Sequence, residues 1–276
     1  MAEAQTTILI TGATDGIGRG TAAALARRGA RVLLHGRDPA RLEAAREAIE
    51  AETGSRQLET WTADFASLED VRGLAEAVAA RHGSLNVLVN NAGIGRGPTG
   101  RQTREESRDG WEMRFQVNYL APFLLQHLLL PVLRRAAPSR IVNVASVGQA
   151  PLDFDDLMLE RGYDSMEAYC RSKLALIMAT FELAARLDPA EVTVNALHPG
   201  TLLDTKMVRE GFGEPRGPVD TGIEAEVYLA TSADLEGVSG EYFDRTRRSR
   251  ANEQAYEQDS RARLWRISAE LVGIGA

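Results

Sequence analysis

Tyr169 and Lys173 stand four residues apart in the run Tyr169-Cys170-Arg171-Ser172-Lys173, about twenty residues after Ser146. On a helix, side chains at i and i+4 share a face, so the lysine ammonium can approach the phenol. A unit charge about 4 Å away is worth roughly 4 kcal/mol at an effective dielectric of about 20, enough to lower a phenol pKa of about 10 by about two to three units. Tyr169 would then exchange a proton near neutral pH. Taken alone, two such residues also describe an ordinary half-exposed helix face, so the weight falls on what surrounds them.

A second group of residues lies at the other end of the chain. Thr6 to Thr11 reads as a short buried strand, and it runs into Gly12-Ala13-Thr14-Asp15-Gly16-Ile17-Gly18, after which alanines and leucines recur at helical spacing to Arg28. Glycines in a strand-to-helix turn allow a tight bend and a close backbone approach to a pyrophosphate, whose charge the helix N-terminus favours. Gly12, Thr14, Asp15, Gly16, Ile17 and Gly18 are therefore the expected phosphate-binding turn. The spacing is G-x-x-x-G-x-G, not the commoner G-x-G-x-x-G. A close strand–helix contact with no ligand is the competing explanation of the same glycines.

These residues need elements to hold them. The 276 residues suffice for one α/β domain, and 44% hydrophobic with 26% charged is ordinary for a globular protein. Strands are predicted near Arg31–His35, Leu58–Thr62, Val87–Asn90, Arg140–Ala145, Val192–Leu197 and Glu241–Phe243. Helices are predicted over Pro39–Thr53, Leu68–Arg81, Trp111–Arg135, Met166–Leu187 and Thr221–Thr231, with a last one over roughly 252–271. Such alternation implies a doubly wound parallel sheet with helices on both faces. Ligands of these sheets collect at the carboxyl ends of the strands, where Gly12, Arg37, Asp64, Asn91, Ser146 and Pro199-Gly200 fall.

The net charge of −7 and pI near 5.3 disfavour nucleic-acid or anionic-membrane binding, and the basic run Arg245 to Arg250 reads as a solvated surface. A single cysteine, Cys170, rules out an internal disulfide and fits a reducing compartment. The N-terminal residues lack a basic region followed by an apolar core, and the longest apolar stretch, Leu120 to Leu133, is interrupted by Pro122, Gln126, His127 and Pro131. The expectation is a cytoplasmic protein with no membrane partner.

In order along the chain, Thr11-Gly12 with Gly16-Ile17-Gly18, Asp64, Asn90-Asn91-Ala92-Gly93, Asn118, Ser146, Tyr169 with Lys173, and Pro199-Gly200 with Thr205 resemble the motifs of the short-chain dehydrogenases/reductases. Within that family, Asp153 to Leu157, Asn195 to Gly200 and the tail from Gly240 to Trp265 are similar to the retinol-dehydrogenase-like group. The resemblance implies a single Rossmann-type domain over 1–276, with about seven strands in the order 3-2-1-4-5-6-7. It also implies hydride transfer between nicotinamide and a carbonyl carbon, with catalytic residues Asn118, Ser146, Tyr169 and Lys173. Tyr169 would give the oxygen its proton and Ser146 would hold that oxygen as charge develops. Lys173 would lower the phenol pKa and bind the nicotinamide ribose, while Asn118 would hold a water linking Lys173 to solvent. Asp64 and Phe65 would meet the adenine, Asn91, Ala92 and Gly93 would floor the adenosine half, and Pro199, Gly200, Thr201 and Thr205 would complete the cofactor site. No metal enters this chemistry.

Cofactor choice turns on Gly36-Arg37-Asp38. An acid at the end of the second strand binds both ribose hydroxyls of NAD, whereas Arg37 can pair with the 2′-phosphate of NADP. NADP(H) is expected, with NAD(H) the alternative because Asp38 and Asp15 put negative charge nearby. An ordinary helix-capping role competes for Asp64.

The segments 151–165 and 201–219 carry Leu152, Phe154, Leu157, Met158, Leu202, Leu203, Met207, Val208 and Phe212, which suggest a lipophilic or bulky carbonyl or alcohol substrate; these residues could equally only pack the segments down. Gly211, Gly213, Pro215, Gly217 and Pro218 make 201–219 read as a substrate lid. Surplus apolar surface on the two longest helices suggests a homodimer or homotetramer, with a monomer as the alternative. A catalytically silent cofactor-binding regulator or scaffold is the competing function, and reduction of a non-carbonyl double bond or an epimerisation is a third.

Overall fold

Short runs without polar interruption make the central strands, because a parallel sheet covered by helices is buried on both faces. The computed structural model describes residues 6–97 and 103–275. Its strands are β1 (Thr7–Ile10), β2 (Arg31–Gly36), β3 (Leu58–Thr62), β4 (Val87–Asn90), β5 (Ser139–Val144), β6 (Val192–His198), β7 (Tyr242–Asp244) and β8 (Arg247–Ser249). They form one sheet in the order β3-β2-β1-β4-β5-β6-β7-β8. The first seven are parallel, with Ile8 in register with both Val32 and Val87, Asn90 with Asn143, and Leu197 with Phe243. The sheet is thus the doubly wound α/β arrangement expected, extended by one antiparallel edge strand.

That eighth strand lies in the arginine-rich run, whose side chains are exposed on β8. A strand with no buried face has no apolar alternation to reveal it. The chain turns into it at Arg245, in the left-handed region at φ 57°.

The helices are α1 (Gly16–Arg27), α2 (Pro39–Thr53), α3 (Leu68–Arg81), α4 (Met113–Phe115), α5 (Ala121–Arg135), α6 (Ser165–Ala185), α7 (Lys206–Gly211), α8 (Asp220–Thr231) and α9 (Gln258–Val272). One apolar core joins α3, α5, α6 and α9 to one sheet face, and a second joins α1, α2 and α8 to the other. The helix expected over Trp111–Arg135 is three pieces. Glu112 caps α4 by accepting from Phe115 N at 2.7 Å, and between α4 and α5 the helix widens to i→i+5 hydrogen bonding over Gln116–Leu120, a form frequent at functional sites. The expected lid contains the short helix α7, begun by Thr205, whose hydroxyl accepts from Val208 N at 3.3 Å.

The surplus apolar surface of α5 and α6 is covered within the chain. On α9, Trp265 meets Phe123 edge-on at 5.1 Å and His127 at 4.8 Å, and Arg186 of the turn after α6 lies 4.2 Å over its ring. Tyr119 and Ser268 share a hydrogen bond of 2.6 Å. Among the described residues the only large exposed hydrophobic side chains are Val147 and Tyr256. Part of the surface that suggested self-association is thus packed against α9 within the chain.

Candidate active site

The glycine-rich turn is built by close approach. Gly12 sits at φ 70°, and a Cβ there would stand 2.8 Å from Ala92 Cα; one on Gly18 would stand 2.5 Å from Gly12 O. Asn91 stitches this turn to the end of β4, donating through Nδ2 to Thr11 O at 2.8 Å and Gly12 O at 3.1 Å, while Ala92 N donates to Thr11 Oγ1 at 3.0 Å. Its amide hydrogens are thereby committed to shaping the turn rather than free for a ligand. Asp15 caps α1 by accepting from Gly16 N at 2.7 Å. The first turn of a helix has N–H groups without intrahelical partners, so those of Ile17 and Gly18 are available to an anion. Thr14 packs against Gly36, and the methyl of Thr205 lies beside Gly16. Asp15 and residues 204–206 line a cleft of about 400 Å³ together with Arg209 and Glu210.

The end of β2 carries Arg37, which is exposed and has no ion-pair partner among the described residues. Asp38 is otherwise engaged, capping α2 through Ala40 N at 2.9 Å and Arg41 N at 3.1 Å. Arg41 itself stands 3.7 Å from the Asp15 carboxylate. Sequence reasoning missed Arg41; its place one helical turn after Arg37 was the available signal. Both acids that weakened the case for NADP are therefore occupied, one by a helix cap and the other by a cap and an arginine.

His35, also missed, ties β2 to its neighbours. Its Nε2 bonds Ala63 O at 3.1 Å and its Nδ1 accepts from Gly12 N at 3.4 Å. Burial pushes its pKa down to about 4, so the ring is neutral and Nδ1 keeps its lone pair. Phe65 is buried and stacks on His35 at 4.5 Å and 21°. That ring packs against His35 inside the protein. Asp64 makes a local turn by accepting from Ala66 N at 3.1 Å and pairs with Arg108 at 3.5 Å. Ser67, not Asp64, caps α3, accepting from Asp70 N at 3.2 Å, so the capping alternative for Asp64 falls away.

At the carboxyl end of β5, Ser146 is held by its flanks. Its hydroxyl accepts from Gly148 N at 3.0 Å, and its carbonyl accepts from Gln149 Nε2 at 2.9 Å and from Tyr242 Oη at 3.0 Å. Val147 beside it is exposed, an apolar edge on the site. Tyr169 and Lys173, one turn apart on α6 and both buried, come from the adjoining face. Burial raises the Tyr169 phenol pKa, offset in part by a hydrogen bond from Ser146.

Lys173 differs from expectation. Its Nζ donates to Val144 O at 2.8 Å and stands 5.9 Å from the centre of the Tyr169 ring, so its hydrogen bond goes to the end of β5 and not to the phenol. Burial pushes the Lys173 pKa down to about 8, and the charge that opposes this is Glu226 on α8. Glu226 is fully buried, accepts from Thr21 Oγ1 at 2.8 Å, and is itself pushed up to about 8 by burial. An isolated acid in a helix gave no sequence signal for this partnership.

Asn118 sits in the widened turn. Its Oδ1 accepts from Ile94 N at 2.8 Å, and its Nδ2 donates to Ile94 O at 3.0 Å and Ser172 Oγ at 3.0 Å. Its side chain thus fixes the segment after β4 next to α6. A Cβ on Gly93 would stand 3.2 Å from Asn118 Oδ1 and 3.5 Å from Lys173 Nζ, so the floor, the asparagine and the lysine meet at one point. After β6, Pro199, Gly200 and Thr201 lead into the lid, with Thr201 Oγ1 bonded to His198 Nε2 at 3.0 Å.

The segment expected to form a lid rests on Tyr169. Phe212 stands edge-on to Tyr169, 5.3 Å between ring centres. The lid's two ends are tied together by Asp204 N to Gly217 O at 2.9 Å and Arg216 N to Leu202 O at 2.8 Å. Phe154, Leu157 and Met158 pack on the core, with Arg263 stacked 4.8 Å over Phe154. For those three the packing explanation holds.

A glycine-rich strand-to-helix turn, a cation after β2, and a Ser-Tyr-Lys cluster at the end of β5 stand along one edge of the sheet. The sequence profile described as short chain dehydrogenase matches residues 6–214. Retinol dehydrogenase 13 of Mus musculus is 40% identical over 97% of this chain and 84% of its own length; retinol dehydrogenase 14 of Homo sapiens is 39% identical over 97% and 86%. Among solved structures, an uncharacterised Mycobacterium paratuberculosis protein superposes with a TM-score of 0.80 at 30% identity, covering 98% of this chain and 94% of the other. The Pseudomonas aeruginosa RhlG/NADP active-site complex does so with 0.71 at 28%, covering 87% and 94%. A profile that runs through the glycine-rich turn, the Ser-Tyr-Lys cluster and the start of the lid, on a sheet of the same winding, makes the chain a member of the short-chain dehydrogenase family of oxidoreductases.

Proposed function

We propose that the protein interconverts a carbonyl and an alcohol on a lipophilic or bulky small molecule, using NADP(H), with Tyr169 as the general acid/base. The observation that carries this reading is the convergence of Ser146, Tyr169 and Lys173 beside the glycine-rich turn. Bound nicotinamide supplies or accepts the hydride. The chain's own residues handle the oxygen and its proton. The neutral Tyr169 phenol is a donor in the reductive direction, and the Ser146 hydroxyl, held by Gly148 N, supports the developing negative charge. Lys173 brings a buried ammonium to the same floor, where a ribose hydroxyl is the acceptor expected of it. Phe212, Met207 and Val147 give the site its apolar character and exclude water.

The free Arg37, with Asp38 and Asp15 both occupied, supports NADP(H) over NAD(H). The RhlG complex with NADP points the same way, while the Brucella melitensis 3-ketoacyl-(acyl-carrier-protein) reductase was solved with NADH. Retinol dehydrogenase relatives fit a lipophilic substrate. The complete Ser-Tyr-Lys set weighs against a silent scaffold, and the coverage of α5 and α6 by α9 favours a monomer. No described helix is long and apolar enough to cross a membrane; a cytoplasmic location is kept as a proposal for cell fractionation to test.

Titrating NADPH and NADH by nicotinamide fluorescence, then screening aldehydes and ketones with the tighter binder, tests the reading. Tighter NADPH binding with turnover of apolar carbonyls supports it. Binding without turnover of any carbonyl would favour the scaffold.

A further inference from the structure

The segment that follows β4 is held by one helix face. Asn118 takes both polar groups of Ile94. Four residues earlier, Arg114 takes the next two carbonyls, donating from Nε to Gly95 O at 3.1 Å and from Nη2 to Arg96 O at 2.9 Å. Positions i and i+4 on one helix thus read consecutive residues of one backbone. Arg114 is 4% exposed and Glu112 1%, and their guanidinium and carboxylate meet at 3.2 Å. Tyr163, in the loop before α6, completes the cluster: its hydroxyl accepts from Arg114 Nη1 at 2.7 Å and donates to Glu112 Oε1 at 2.9 Å. A buried charge pair with every contact satisfied holds its surroundings in one geometry.

What Arg114 holds is the surface on which the lid rests. A Cβ on Gly95 would lie 2.8 Å from Met207 Cγ and 3.0 Å from Phe212 Cε2, and one on Gly211 would lie 2.9 Å from Gly97 O. The lid helix and the 95–97 backbone therefore touch through glycines from both sides. Gly211 meets the Gly97 backbone directly and Gly95 meets the Met207 and Phe212 side chains, so movement of that backbone is passed to α7 and to Phe212. Phe212, the residue after α7, is the one that meets the Tyr169 ring.

We propose that Arg114 is a positioning residue for the substrate side of the site: by fixing the Gly95 and Arg96 carbonyls it sets the seat of α7, and with it the place of Phe212 beside Tyr169. The inference rests on the function proposed above for its kinetic consequence but not for its structural one. Selectivity among carbonyl substrates then depends on a buried cluster that touches neither substrate nor cofactor.

The test uses the full chain with NADPH bound. Arg114→Met combined with Glu112→Gln removes the pair together and so leaves no lone buried charge; Phe212→Ala, on the half-buried lid, is the second variant. Lys206, Arg209 and Arg216 are exposed in the lid and serve as trypsin sites. The double variant is expected to be cut there at least about tenfold faster than the wild type, because an unseated segment opens more often. For a graded series of ketones, both variants should raise KM and flatten discrimination by size, with kcat and NADPH affinity changed much less. Unchanged lid cleavage in the double variant overturns the proposal, as does a loss of kcat and NADPH affinity together with no change in size discrimination. If the wild type reduces no carbonyl at all, the function fails on its own account, and the trypsin result still decides whether Arg114 seats the lid.

Discussion

Lys173 and Tyr169 share a helix face without sharing a hydrogen bond: the lysine ammonium donates to Val144 O at 2.8 Å and stands 5.9 Å from the centre of the tyrosine ring. The phenol, raised by burial, is therefore a neutral proton donor in the free protein. The ammonium is committed to the end of β5, at the floor where Gly93 and Asn118 converge. Lys173→Ala is expected to weaken cofactor binding and turnover together, the latter by roughly a hundredfold or more. Loss of turnover with cofactor affinity intact would move the role of Lys173 wholly onto the phenol.

Arg37→Ala is expected to weaken NADPH about tenfold or more by removing a charge-assisted contact to phosphate, and to leave NADH unchanged. Arg41→Ala should shift NADPH in the same direction by less, because Arg41 already serves Asp15 at 3.7 Å. Comparable losses for NADPH and NADH in Arg37→Ala would place that arginine on the sugar or the base instead.

His35 predicts an acid limb of stability. Its folded pKa of about 4 lies below the ordinary 6.5, so between those values the unfolded chain binds a proton that the folded chain refuses. Stability from this group is complete above about pH 6.5 and is lost as pH falls toward 4, with a slope of at most about 1.4 kcal/mol per pH unit. Thermal melts of wild type and His35→Gln should converge as pH falls through that window. A constant difference between them would show that His35 does not titrate there.

Light scattering is expected to give one species of 30.0 kDa, because α9 packs on α6 and its Trp265 reaches Phe123 and His127 of α5. Trp265→Asp should uncover them, lowering the melting temperature and promoting association. A stable dimer of the wild type would require an interface elsewhere.

Much of this architecture was legible in the chain because local and tertiary demands agree. The strands β3 and β4 and the helices α2 and α3 match the predicted ranges to the residue; β4 has an unbroken apolar run, and α2 and α3 have the capping residues Asp38 and Ser67 at their starts. The turn and the Tyr169–Lys173 pair were marked by residue type and spacing, and Ser146 by the family resemblance. What stayed hidden depends on contacts distant in sequence. β8 has no buried face, the stacking of Phe65 on His35 joins two strands, and the contact of Trp265 with Phe123 joins α9 to α5. Nor does the spacing of Tyr169 and Lys173 indicate that Val144 O takes the ammonium. Glu226 and Arg114 are single charged residues in helices, and only burial marks them.

The central claim is that Tyr169 carries the proton. The most direct test compares wild type and Tyr169→Phe for cofactor affinity and for single-turnover NADPH oxidation with an apolar ketone. The account predicts that turnover falls by about a thousandfold or more while NADPH affinity stays within about threefold, since the lost hydroxyl leaves the ring and its Phe212 contact in place. Turnover in the variant comparable to wild type would contradict it and remove Tyr169 as the acid/base.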